Sequence, residues 1–416
     1  MMRYISFLII LLLGLTSQAQ QKILIKNITI IDGDAGITPR NGSILIVKDK
    51  IAAIYGPKSP VFQSGTKIID GTGKYLVPGL IDAHVHLATG DLSDLKKARS
   101  TTDSIVGNLL RHGITTVRDM AGNAPYLAHY KTALATGKIA GPDIYYAAQF
   151  AGPAYFKMRA NGQKDAGEEG NTPWYRRIVG TADIKPAIAE AKKAGVSGIK
   201  IYANHSPNLV HQITAEAHLQ GLQAWAHGAV FPAKPMDVAR AGVNSMSHAN
   251  DLVFQQLEGD TINISNAWSQ LYKGMKLDTS ICDQLLLTMK RNNIFLDPTL
   301  FHAENNKMIN AALITKRAHK FGVKIVTGTD WIYPTKNEPV PLLDEMKLLV
   351  QKCGLSHTEA IQAATLNAAR ATGLKDRGRV RKGQRADLLI LNSNPLSNLE
   401  ALFNPAIVLK AGKEMF

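Results

Sequence analysis

From Lys22 to Val77 short apolar runs alternate with turn residues, and no helical period of hydrophobic positions interrupts them. The runs Ile23-Leu24-Ile25, Ile28-Thr29-Ile30-Ile31, Ser43-Ile44-Leu45-Ile46-Val47, Ile51-Ala52-Ala53-Ile54 and Lys67-Ile68-Ile69 are rich in β-branched residues. Asp32-Gly33-Asp34, Asn41-Gly42 and Asp70-Gly71-Thr72-Gly73 separate them, which predicts strands joined by tight turns. The C-terminal stretch has the same texture, with Ala386-Asp387-Leu388-Leu389-Ile390-Leu391 and Ile407-Val408-Leu409 set among turn clusters. Two β-rich ends can close into one small sandwich, leaving the middle of the chain as an insert.

That middle alternates strand and helix patterns. Strands are expected at Leu80 to His86, Ile114 to Met120, Asp143 to Gln149, Gly198 to Tyr202, Gln223 to His227, Asn244 to His248, Phe295 to Leu300 and Lys324 to Asp330. Helical stretches such as Ile184 to Ala194 and Thr214 to Gln220 lie between them. Eight strands joined by helices predict a (β/α)8 TIM barrel, an α/β fold whose active site lies at the C-terminal strand ends. A doubly wound sheet is the competing architecture, but no Gly-x-Gly-x-x-Gly loop follows any of these strands. The expected division is therefore 20–77 for the N-terminal part of the β-sandwich, 78–372 for the barrel and 373–416 for the rest of the sandwich.

Residues 1–19 are read as a signal peptide. Arg3 is the positive n-region, Ile5 to Leu15 form an apolar run short for a bilayer, and Ser17-Gln18-Ala19 is a small-x-small cleavage site. An uncleaved anchor is the alternative. No cysteine stands at the cleavage site for lipid attachment, so an exported, periplasmic or secreted protein without a stable membrane anchor is expected. Export permits a disulfide between Cys282 and Cys353, although two buried free thiols suit a chain of this size equally. The formal net charge of +15 is spread without a dense basic block, and no nucleic-acid module is present. Nucleic acid is thus excluded as a partner, a small molecule or dipeptide is expected, and a homo-oligomer remains open. Hydrophobic residues at 45% and charged ones at 19% exclude disorder and fit a large buried core.

The polar residues that close the strands carry the chemistry. His84 and His86 end the first strand, and residues two apart on a strand project to one side. Lys200 lies within the apolar strand Gly198-Ile199-Lys200-Ile201-Tyr202. His227, His248 and Asp330 end the fifth, sixth and eighth strands. Imidazoles and a carboxylate converging on one barrel mouth suit a divalent metal of the zinc type. The plainer reading is a set of unrelated strand-end polar residues, with Lys200 facing outward in an ion pair.

This ordered set resembles the amidohydrolase superfamily: His-x-His, lysine, histidine, histidine and aspartate on strands one, four, five, six and eight. Pro78-Gly79-Leu80-Ile81-Asp82-Ala83-His84, Gly113-Ile114-Thr115-Thr116-Val117-Arg118-Asp119, Thr365-Leu366-Asn367-Ala368-Ala369-Arg370-Ala371-Thr372-Gly373 and the tail from Gly378 to Leu388 are similar to it as well. Within it, the imidazolonepropionase-like and prolidase-like group is most similar. The resemblance implies a binuclear hydrolase with carbamylated Lys200 bridging a pair of divalent metals, zinc by default. His84, His86 and Asp330 would hold one metal, and His227 and His248 the other. A hydroxide between the metals would attack an amide carbonyl, with Asp330 as general base and then acid. Xaa-Pro or other dipeptides are the expected substrates. A cyclic amide or lactam is the alternative, a lactone or phosphotriester is also within reach of the fold, and a metal-free scaffold is the remote reading.

Four further residues are candidate substrate contacts: Tyr202, His302, His205 and Arg118, with ordinary loop histidines the plainer reading of His302 and His205, and a structural pair with Asp119 that of Arg118. The long connection from Phe150 to Arg177 is expected to act as a lid or specificity wall, covering another subunit being the alternative, and its arginines, Arg159, Arg176 and Arg177, would suit a substrate carboxylate.

Overall fold

The computed structural model describes residues 22–57, 65–90, 92–160, 170–257, 275–331, 333, 335 and 338–416. The proposed signal peptide lies outside the described residues. Among the described residues, no helix is long and apolar enough to cross a membrane.

Both chain ends build one mixed sheet. Lys413–Glu414, Ile407–Lys410 and Leu388–Leu391 from the C-terminal end continue through Tyr75–Pro78 to Lys22–Ile30, Arg40–Val47 and Lys50–Tyr55, and Thr66–Asp70 also pairs with Lys22–Ile30. A bulge between Ile25 and Ile28 places Asn27 at φ 55°. The extra residue keeps Ile23, Ile25, Ile28 and Ile30 on one face, where they pack with Leu76, Leu388 and Ile390. The alternate residues Val77, Leu389 and Leu391 belong instead to the barrel's core cluster. Period-two alternation therefore gives this sheet two apolar faces, one for its own core and one for the barrel. Gly113 is required at that contact, since a Cβ there would sit 2.6 Å from Leu389 Cδ1.

Seven parallel strands of the barrel follow in order: Leu80–Val85, Ile114–Asp119, Asp143–Ala151, Gly198–Ile201, Gln223–His227, Ser245–Ser247 and Phe295–Asp297. Their burial is nearly continuous, as a strand covered on both faces requires. The expected eighth strand, Lys324 to Asp330, forms no regular ladder. It closes the barrel through separate bonds: Leu296 N–H to Lys324 O and Val326 N–H to Leu296 O on one side, Ala83 N–H to Thr327 O and Asp330 N–H to His84 O on the other, each 2.9 Å. Thr327 N–H turns away to Ala363 O at 3.3 Å, which interrupts the ladder.

The expected strand Phe295 to Leu300 ends early. Thr299 is left-handed at φ 50°, and a short helix, Leu300–Asn305, begins directly after it. The long connection after the third strand folds into the helix Pro153–Ala160 and the strand Tyr175–Arg177, which pairs with Asp143–Ala151. Its residues 161–169 lie outside the described residues. Cys282 and Cys353 are both buried and free.

Candidate metal centre and active site

The strand ends meet around Asp330. His84 Nε2 and His86 Nε2 lie 3.2 and 3.1 Å from its Oδ1, while His302 Nδ1 and His248 Nδ1 lie 3.4 and 3.7 Å from its Oδ2. His84 Nδ1 lies 2.7 Å from Asp297 Oδ2, and His86 Nδ1 lies 3.0 Å from Ala121 O. Each ring donates its Nδ1 hydrogen there in the neutral form, so its Nε2 carries only a lone pair. Two lone pairs then face a carboxylate oxygen, which is repulsive unless a cation or proton joins them. That donor set fits a divalent metal, and His84, His248 and Asp330 form a group able to hold one.

The second half of the site adjoins it. His227 and His248 lie with ring centroids 4.2 Å apart, and His227 Nδ1 is 2.6 Å from Asp251 Oδ2. His248 Nδ1 also lies 3.0 Å from Thr299 Oγ1. Lys200 is 1% exposed, and its Nζ donates to Ser247 Oγ at 2.8 Å. Burial pulls the Lys200 ammonium down to about 7, against the carboxylate of Asp297. Burial also lowers His248, with His227 adding to it. At Asp330 burial acts the other way, but the surrounding histidines, His84 first, hold the carboxyl well below its usual range.

All six expected ligands line one cavity of about 490 Å³. Tyr202 and His302 line it too, with the Tyr202 ring 4.7 Å from His227 and 4.9 Å from Tyr155. Tyr155 and Tyr175, from the long connection, complete an aromatic wall beside Met120 and Gln149.

Two expected substrate contacts are placed elsewhere. Arg118 does face the barrel interior, but one layer below Met120. Its donors are taken by Ala83 O, Ser245 Oγ, Ala371 O and Asp297 Oδ2, and its guanidinium lies 4.9 Å from the Trp225 ring. His205 is fully buried against Phe150 O at 3.2 Å and does not line the cavity. The expected carboxylate clamp also moves: Arg176 pairs with Glu190 at 2.5 Å, and Arg177 reaches Asn171 at 3.5 Å. The side chain of Arg159 lies outside the described residues. Sequence reasoning missed Asp297, Asp251, Ser247 and Thr299, which hold the ligand side chains from behind. The available signal was an acid at a strand end (Asp297) and another three residues past a ligand histidine (Asp251).

Residues 75–415 match the amidohydrolase family. Over 96% of its length the chain is 25% identical to ochratoxinase from Aspergillus niger, covering 86% of that protein. A stretch of 78 residues, 19% of each chain, is 41% identical to imidazolonepropionase from Deinococcus deserti. Among solved structures, a Xaa-Pro dipeptidase with bound methionine superposes with a TM-score of 0.75 at 22% identity, over 95% of this chain and 100% of that one. The chain belongs to the amidohydrolase family. It is an enzyme, a hydrolase acting on carbon–nitrogen bonds, and His84, His248 and Asp330 form a group that could hold a metal ion.

Proposed function

We propose that the protein is an exported, binuclear zinc amidohydrolase that cleaves the amide of a small substrate, an Xaa-Pro or other dipeptide. The observation that carries this reading is Asp330: one carboxylate within 3.7 Å of ring nitrogens from His84, His86, His248 and His302. His84, His86 and Asp330 are assigned to one metal, His227 and His248 to the other, and Lys200 to the bridge between them. Bound divalent cations would supply Lewis acidity and a water whose pKa falls toward ~7.

Lys200 supports the bridge because burial favours its neutral amine, which is the nucleophilic form. Its Nζ lone pair would add to dissolved carbon dioxide, forming an N–C bond and releasing one proton to water. Asp330, held ionised, would accept the proton of the attacking water and pass it to the leaving nitrogen. The aromatic wall of Tyr155, Tyr175 and Tyr202 would pack the apolar part of the substrate, with Tyr202 and His302 nearest the reacting carbonyl. Residues 1–19 would be removed on export, leaving Gln20 as the first residue.

The test is hydrolysis by the zinc-loaded protein of a panel of dipeptides, N-acyl amino acids, cyclic amides and lactones. Cleavage of Xaa-Pro or another dipeptide is the expected result. Cleavage of a lactone with every amide left intact would overturn the proposed reaction.

A further inference from the structure

Below the cavity floor, one carboxylate oxygen gathers three donors. Asp297 ends the seventh barrel strand and is fully buried. Its Oδ2 lies 2.7 Å from His84 Nδ1, accepts from Ser247 Oγ at 2.9 Å, and lies 3.3 Å from Arg118. A hydroxyl has one hydrogen, so Ser247, donating to Asp297, meets Lys200 Nζ as an acceptor at 2.8 Å. A buried chain therefore runs Lys200–Ser247–Asp297–His84 and draws on the fourth, sixth, seventh and first strands.

Arg118 is anchored on Ala83 O and Ala371 O at 2.5 and 3.4 Å, and it places a positive charge against Asp297.

We propose that Asp297 is a positioning residue that sets His84 directly and Lys200 through Ser247, so that both halves of the metal centre form as one unit. The inference rests on the binuclear reading. At His84, the bond from Nδ1 fixes the tautomer that leaves the Nε2 lone pair for the cavity. At Lys200, a carbamate keeps one hydrogen on Nζ. The Ser247 oxygen takes that hydrogen and fixes the group's rotation, leaving both carbamate oxygens unspent.

The test strips wild-type, Ser247→Ala, Ser247→Thr and Asp297→Asn proteins of metal. Each is titrated with Zn²⁺ in ¹³C-bicarbonate, bound zinc is counted by elemental analysis, and the carbamate is read by ¹³C NMR. Wild type should bind about two Zn²⁺ per chain and show a carbamate resonance. Ser247→Ala should lose the resonance and bind its second zinc about 10–100-fold more weakly, keeping the first. Ser247→Thr should restore both, and Asp297→Asn should weaken both sites by a similar factor. Asp297→Asn also strips Arg118 of its counter-ion, so the serine variants decide the matter where that protein does not fold. Wild-type zinc affinity and an intact resonance in Ser247→Ala would overturn the proposal. A wild-type protein with one zinc and no resonance would instead overturn the binuclear reading beneath it.

Discussion

Asp330 and His248 are both held in left-handed backbone, at φ 51° and 67°. For a non-glycine residue that conformation costs about 1–3 kcal/mol, so the surrounding structure has to impose it. Asp330 N–H bonds to His84 O and His248 N–H to Asp297 O, at 2.9 and 2.8 Å, which pins both residues at the barrel mouth. His205 shows the opposite use of burial. Removal from water lowers its imidazole to about 4, against the bond to Phe150 O. The unfolded chain, titrating near 6.5, then binds more protons than the folded one between pH 6.5 and 4, so stability present above 6.5 is lost as pH falls through that window. The loss should reach on the order of 3 kcal/mol at pH 4, and His205→Asn should flatten this part of the curve. Urea unfolding across pH 7 to 4 measures it; an unchanged slope in the variant would refute this role for His205.

At the scale of elements, the barrel's last strand needs a glycine at 328 to pass close to its neighbours. A Cβ there would overlap Asp297 Oδ1 and come within 2.7 Å of His84 Cβ. Gly328→Ala should destabilise the protein by about 1–3 kcal/mol and displace His84 as well. Thermal melts and zinc affinity measured together would show both losses; an alanine variant matching wild type in each would contradict the packing described here.

The same strand shows how far the sequence could be read. Its run from Lys324 to Asp330 holds the apolar pair Ile325-Val326 and ends in a carboxylate, so its place and the acid it brings to the cavity were legible. The missing ladder was not, because Thr327 bonds to Ala363, which lies far along the chain. His84, His86, Lys200, His227 and His248 were legible for the same reason: a polar residue on or closing a doubly buried strand is conspicuous. Asp297 was hidden because an acid before Pro298 also reads as a turn residue. Arg118 closes its strand in the sequence and reads as a mouth residue or a partner of Asp119, whereas it lies one layer deeper and pairs with Asp297, a depth that period-two alternation does not encode.

Across the whole molecule, the end sheet is tied to the barrel's base by a buried ionic cluster. Arg377 lies 2.5 Å from Asp143 and 3.5 Å from Asp387, and Lys410 lies 2.8 and 3.3 Å from the same two acids. Asp143 begins the third barrel strand, whereas the other three residues come from the last 40 residues of the chain, 377–416. Removing Arg377 leaves the two acids to Lys410 and Arg385 and strips its short bond from Asp143, so Arg377→Met should cost about 1–3 kcal/mol in urea unfolding. A cost below about 1 kcal/mol would mean that the apolar contact through Val77, Leu389 and Leu391 suffices.

The proposed metal-dependent amide hydrolysis is tested most directly by titrating metal-free protein with zinc while following cleavage of the best amide substrate. Activity should be absent after chelation, rise with added zinc and reach its plateau at about two equivalents per chain. Full amide hydrolysis by the chelated, zinc-free protein would contradict the account.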